Sequence, residues 1–170
     1  MALSMYQASV PVFTQGLNNL QAILKKGEAG AAGLKLTPEQ LLQRALITDM
    51  FPLLKQVQRA CDTAARGMAR LARIEPRPFP DNEASFADLH RRIAGTADYV
   101  GSFTATQVDG REDEILDVNL GGHAVRLSSR DFLLRYALPN FFFHCTTTYD
   151  ILRAAGIAIG KRDFLGSVLQ

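Results

Sequence analysis

Apolar residues return at intervals of three and four through four separate stretches of the chain, and that period decides the fold class before any motif is considered. Leu3, Tyr6, Val10, Phe13, Leu17, Leu20 and Leu24 form the first stripe. Met50, Leu53, Val57, Cys61, Ala64, Met68 and Leu71 form the second, and Phe86, Leu89, Ile93, Ala97 and Val100 the third. On the fourth, Leu133, Ala137, Asn140, His144, Thr147 and Ile151 share one strip. A helix of 3.6 residues per turn gathers such positions onto one face. Four one-sided helices hide those faces by packing against one another. The pattern predicts an all-α protein, a four-helix bundle, as a single domain over residues 1–170. At 170 residues the chain can bury about 70 % of its unfolded surface.

Local signals place the boundaries. Ser4 and Gln7 have capping-box spacing at the start of the first helix, and Pro11 inside it predicts a kink near Gln7 to Pro11. The run Gly27 to Gly33 reads as a loop. Thr37-Pro38-Glu39-Gln40 opens a short helix reaching about Ala45. The second long helix is expected from about Asp49 to Arg73, with Pro52 in its first turn. Its wet face would be Lys55, Arg59, Asp62, Arg66, Arg70 and Arg73. Pro76, Pro78 and Pro80 end it, and Ser85 opens the third helix, which closes near Gly101. The period then drops to two: Leu116, Val118 and Leu120, then Gly121-Gly122, then Val125 and Leu127. That is a small β-hairpin before the last long helix, and it needs the bundle to pack on. The last helix runs from Ser129 to about Ala155, kinked at Pro139 and stopped by Gly156. The tail from Ile157 to Gln170 reads as irregular.

Composition narrows the function classes. A net charge of +2, with arginines spread opposite the apolar stripes, gives no basic patch for nucleic acid and reads as solvated helix faces. No stretch approaches the ~18 apolar residues of a membrane span, and Met1 to Phe13 lacks the pattern of a secretory leader. Cys61 and Cys145 are separated and lie in apolar contexts, so they read as buried thiols of a reducing compartment. The expectation is a cytoplasmic protein with neither membrane nor nucleic acid as partner. Phosphate-loop, dinucleotide, His-Glu-x-x-His and Gly-x-Ser-x-Gly signatures are absent.

Few residues can carry chemistry. His144 stands on a core-facing strip, where an imidazole needs partners; it can be a metal ligand, a general base or a hydrogen-bonded core residue. His90, beside Arg91 and Arg92, reads as a surface residue, and His123 as part of the hairpin turn. The acidic run Glu112-Asp113-Glu114 reads as a solvated loop. Phe141-Phe142-Phe143 spans about 200° of helical azimuth, so the three rings cannot share one core. At least one should meet the hairpin, the tail or another subunit.

Four segments carry a family resemblance: Ser4 to Pro11, Asp49 to Leu53, Ala137 to His144 and Gly160 to Gly166. Together they resemble an uncharacterised family within the DinB/YfiT-like superfamily, over essentially the whole chain. The resemblance implies an up-down-down-up four-helix bundle with a long crossover, often dimeric. It also implies a divalent metal, zinc or nickel, held by one histidine from the second helix and a His-x3-His pair on the last. Some members are thiol-dependent transferases or isomerases. Here His144 matches the second histidine of the pair, Asn140 stands at the first, and the second-helix position falls near Gln56 or Gln58. Neutral amides are weak ligands for zinc or nickel beside imidazole.

Three readings follow. In the first, the protein lacks the full metal site and binds a small ligand in a pocket of Gln56 or Gln58, Asn140 and His144. In the second, it is a metal-dependent thiol S-transferase with His144 as ligand and a carboxylate such as Asp49 completing the set. In the third, it is a dimeric structural or interaction protein acting through its phenylalanine-rich face.

Overall fold

A computed structural model describes residues 3–166, apart from the side chain of Leu120. The described chain is mostly helical, with one two-stranded antiparallel hairpin. Four helices are long: α1 (Met5–Ala31), α3 (Leu53–Leu71), α4 (Phe86–Gly101) and α7 (Leu138–Ala154). Two short helices lie between α1 and α3 and after α4: α2 (Pro38–Leu42) and α5 (Ala105–Val108). The hairpin is β1 (Ile115–Leu120) and β2 (His123–Ser128). One helical turn, α6 (Ser129–Phe132), leads towards α7, and α8 (Lys161–Leu165) follows it.

The apolar stripes do what their period requires. Helix α1 packs on α4 and α7, and α3 packs on the same two. Phe13, Leu17, Leu24, Val57, Ala64, Met68, Leu89 and Ile151 are fully buried in one continuous cluster. Capping boxes at Ser4, Thr37 and Ser85 start α1, α2 and α4, satisfying backbone donors that a helix start leaves free. The hairpin pairs Leu116 with Leu127 and Val118 with Val125 around Gly121 and Gly122. Both glycines have positive φ, as a two-residue turn of this twist demands. Leu116 and Val118 are buried against the helices, which is the support a lone hairpin needs.

Several boundaries differ from the sequence expectation, each for a tertiary reason. The run Gly27 to Gly33 is not a loop: α1 continues to Ala31 and a 3₁₀ turn covers Ala32–Leu34. Gly27 sits under Leu152, where a β-carbon would come within 2.7 Å of Leu152 Cδ2. Close approach by α7 offsets the roughly 1 kcal/mol that each glycine costs a helix. Leu3 lies ahead of the helix and is 74 % exposed rather than part of its stripe. Helix α3 begins at Leu53, with Pro52 as its cap; Asp49 is exposed and Met50 half-buried outside it. Its end precedes the prolines, because Arg73 takes a left-handed conformation (φ 59°) right after Ala72.

The last helix is not simply kinked at Pro139. A π-helical stretch, Leu133–Ala137, divides α6 from α7, and Pro139 lies in the first turn of α7. Widening the turn here accommodates a proline that lacks an N–H and would crowd the carbonyl one turn back. The tail is partly regular: α8 docks on α1, with Asn19 Nδ2 donating to the Phe164 carbonyl at 2.9 Å and Lys26 paired with Asp163. Its remaining residues, 167–170, lie outside the described chain. No helix is long and apolar enough to cross a membrane among the described residues.

Candidate functional site

The site grows from one turn of α7 facing one turn of α3. The 3.6-residue period puts Asn140, His144 and Thr147 on a single strip, and the strip faces α3. Gln56 and Gln58 are 200° apart around α3, so only one can face α7. It is Gln56: its Oε1 lies 2.7 Å from His144 Nδ1. Gln58 turns the other way and donates from Nε2 to Glu83 Oε2 at 2.7 Å. Asn140 Nδ2 donates to Thr63 Oγ1 at 2.8 Å. Of the four candidate residues, the fold brings Gln56, Asn140 and His144 into one region and sends Gln58 to another.

The proton on His144 can be placed. Gln56 Nε2 donates to the Phe51 carbonyl at 3.0 Å, which fixes the amide and turns Oε1 towards the imidazole. An amide oxygen only accepts, so Nδ1 carries the hydrogen. Nε2 is then left with a lone pair, and among the described residues it has no hydrogen-bond partner. The side chain is 8 % exposed. Burial, helped by the Arg59 guanidinium, pushes this imidazole down to about 4, so it is neutral at pH 7.

A cleft of about 190 Å³ opens beside His144. Asn140, Tyr136 and Ala137 line it from α7 and the π-helical turn, Asn119 from the hairpin, and Arg59, Thr63, Arg66 and Arg70 from α3. The sequence reading placed those arginines on a wet face, and the spacing alone gave no sign that α7 and the hairpin tip would wall them in. Asp62 departs further from that expectation. It is 6 % exposed and bonds to Arg92 of α4 at 2.5 Å. Arg92, read as solvated, is 4 % exposed.

The donor set fits a divalent metal poorly. Among the described residues, no group of three or more histidine, cysteine, aspartate or glutamate side chains could hold one. Asn140 could offer a metal only its neutral amide oxygen, since its nitrogen donates to Thr63, and Arg59 already places positive charge near His144. Asp49 is exposed and lines no part of the cleft. The protein's own thiols are held protonated: burial pushes Cys61 up to about 12 and Cys145 well above its usual range. Both cysteines are free and buried, as expected.

His90 is half-buried and bridges Gln21 Oε1 (3.3 Å) and Glu28 Oε2 (3.0 Å), which ties α4 to α1. His123 is exposed at the hairpin turn. Phe141 is fully buried, whereas Phe142 and Phe143 are 37 % and 52 % exposed.

Neutral His144 makes stability depend on pH. The unfolded imidazole binds its proton near 6.5 and the folded one only near 4. Between those values the unfolded state holds more protons, so acid favours unfolding. The melting temperature is therefore expected to fall from pH 6.5 to 4.5. The fall should be smaller in His144→Gln, which has nothing to titrate there. Parallel curves for the two proteins would show that His144 is not the group responsible.

Comparison with known proteins agrees with the fold. The family model described as a domain of unknown function, DUF1993, matches residues 5–165. A crystal structure of a DinB family member from Shewanella denitrificans is 36 % identical, with a TM-score of 0.86 over 96 % of this chain and 92 % of that one. Among functionally curated proteins nothing matches. With the family model spanning both α1 and the His144 strip of α7, the chain belongs to the DUF1993 family.

Proposed function

We propose that this protein binds a small polar ligand in the cleft between α3 and α7, and that its four long helices form the up-down-down-up bundle of DinB-like proteins. One observation carries the ligand reading. His144 keeps an unpartnered Nε2 lone pair on a side chain that is 8 % exposed and lines a cleft. That nitrogen opens to the cleft rather than being sealed in the core, so the hydrogen of a bound donor can reach it. The cleft is smaller than the ~300–1,000 Å³ of drug-sized sites, which suits a small metabolite. The dispersed donors give less support to metal-dependent thiol transfer.

Differential scanning fluorimetry against a panel of small polar metabolites, charged and neutral, tests the reading. A binder should raise the melting temperature of the parent protein and not of His144→Phe or Asn140→Leu. Stabilisation that survives both substitutions would place the ligand elsewhere. Elemental analysis of untagged protein completes the test. One zinc or nickel per chain, lost in His144→Ala, would reverse the conclusion in favour of a metal-dependent enzyme.

A further inference from the structure

A second cleft, of about 340 Å³, shares Arg66 and Arg70 with the first but opens between α3 and the proline-rich connector that follows it. The connector runs back along α3. The Ile74 N–H donates to the Ala69 carbonyl at 3.0 Å at one end, and Lys55 Nζ donates to Asp81 Oδ2 at 2.8 Å at the other. Between those ties Arg77 comes alongside the part of α3 that carries Arg66 and Arg70, and all three arginines line this cleft. Pro76 and Pro78 fix φ on either side of Arg77. The Arg77 N–H also donates to the Tyr99 hydroxyl of α4 at 3.4 Å.

The charges here do not cancel. Asp62 is the one carboxylate in the lining. It is engaged by buried Arg92 at 2.5 Å and by Arg59 at 3.1 Å, and its Oδ2 is sealed from solvent. Arg66 reaches that oxygen only at 3.5 Å, beyond the usual hydrogen-bond range. Among the described residues, Arg70 and Arg77 have no carboxylate partner. Each guanidinium rests on a ring instead, Arg70 at 5.8 Å from the centre of Phe132 and Arg77 at 5.4 Å from that of Phe79. A ring occupies the face of a guanidinium and leaves the N–H groups at its edge unspent. Arg66 and Arg70, one turn apart, also form a like-charge pair that a bound anion would relieve.

We propose that this second cleft binds a phosphate group, held between Arg66 and Arg70 on α3 and Arg77 on the connector. Three guanidiniums present more N–H groups than the two oxygens of a carboxylate can meet. A phosphate brings a third oxygen and close to two negative charges. The site goes beyond the ligand reading of the first cleft and does not depend on it, because His144 lines no part of this one.

Titration of the ¹⁵N-labelled full chain by NMR at pH 7.5 tests the site, since the arginine Nε–Hε signals report on the three side chains directly. The probes are inorganic phosphate, phenyl phosphate, acetate and benzoate, with ionic strength held constant by chloride. Both phosphates are expected to shift the Arg66, Arg70 and Arg77 signals saturably, at least tenfold more tightly than the carboxylate of matching size. The tighter of the two phosphates identifies the source, free phosphate or a phosphate ester. Arg77→Met should weaken phosphate binding at least fivefold, as should Arg70→Met, which keeps an unbranched side chain over Phe132. Arg66→Ala, at an exposed position, gives a further loss if either variant is unstable. Arg135→Met, which lies outside both clefts, should bind as the parent does. Equal response to phosphates and carboxylates would mean charge screening alone and would overturn the proposal. So would the absence of saturation with either phosphate. Binding that survives Arg77→Met but not the α3 variants would put the anion in the first cleft and overturn it as well.

Discussion

Arg92→Met is expected to destabilise the protein by about 3–5 kcal/mol, the usual cost of removing one partner from a buried ion pair. For a chain of this size that corresponds to a melting temperature lower by roughly 6–20 °C. The Arg92 side chain is 1 % exposed and meets Asp62 at 2.5 Å, Glu83 at 2.8 Å and Asp81 at 3.2 Å. It also donates to the Pro80 carbonyl at 3.1 Å. One guanidinium thereby joins α4 to α3 and to the connector that follows the prolines. Without it, the Asp62 and Glu83 carboxylates, each 8 % exposed, lose their most buried countercharge. Chemical denaturation measures the loss. Adding Asp62→Leu and Glu83→Gln to Arg92→Met should restore much of it, because the cost lies in stranded charge. A single-variant loss under 1 kcal/mol would mean that water screens the cluster.

Phe141→Ala should cost about 3–5 kcal/mol as well, through the cavity it leaves. Phe141 is fully buried and meets Phe13 edge to face, with ring centres 5.1 Å apart. It also lies on Gly16, where a β-carbon would come within 2.4 Å of Cε1. Gly16→Ala alone should therefore destabilise by overpacking, by roughly 1–3 kcal/mol. In a Phe141→Leu background the same alanine should cost much less, since the ring edge it strikes is gone. A double-mutant cycle by urea denaturation reads the coupling. Additive costs would show that Gly16 and Phe141 are independent.

Much of this architecture was legible locally. Capping boxes at Ser4, Thr37 and Ser85 depend on residues three apart, so sequence suffices to place them. The hairpin was equally plain, because alternation around Gly121-Gly122 has only one short-range solution. The glycine run at 27–33 misled for a physical reason. A glycine chosen for flexibility and one chosen for close helix approach look alike until the helix above it is known. Here Leu152, 125 positions along the chain from Gly27, decides the matter. The charged face of α3 misled similarly. Asp62 and Arg66 are one turn apart, yet α4 draws Asp62 inward while Arg66 stays half-exposed at the cleft.

The candidate site shows the same division. His144 and Asn140 follow from the period of α7, and a glutamine of α3 was expected opposite them. The choice of Gln56 over Gln58, the hydrogen on Nδ1 and the three arginines that line the cleft all required the packed helices. What the sequence determined by itself was the local: helix starts, the hairpin turn and the apolar stripes, each set by residues within a few positions of one another. What only the tertiary structure decided was which polar side chains are buried and whom they meet. Burial of a charge depends on the countercharges that distant segments bring, and no local period records those.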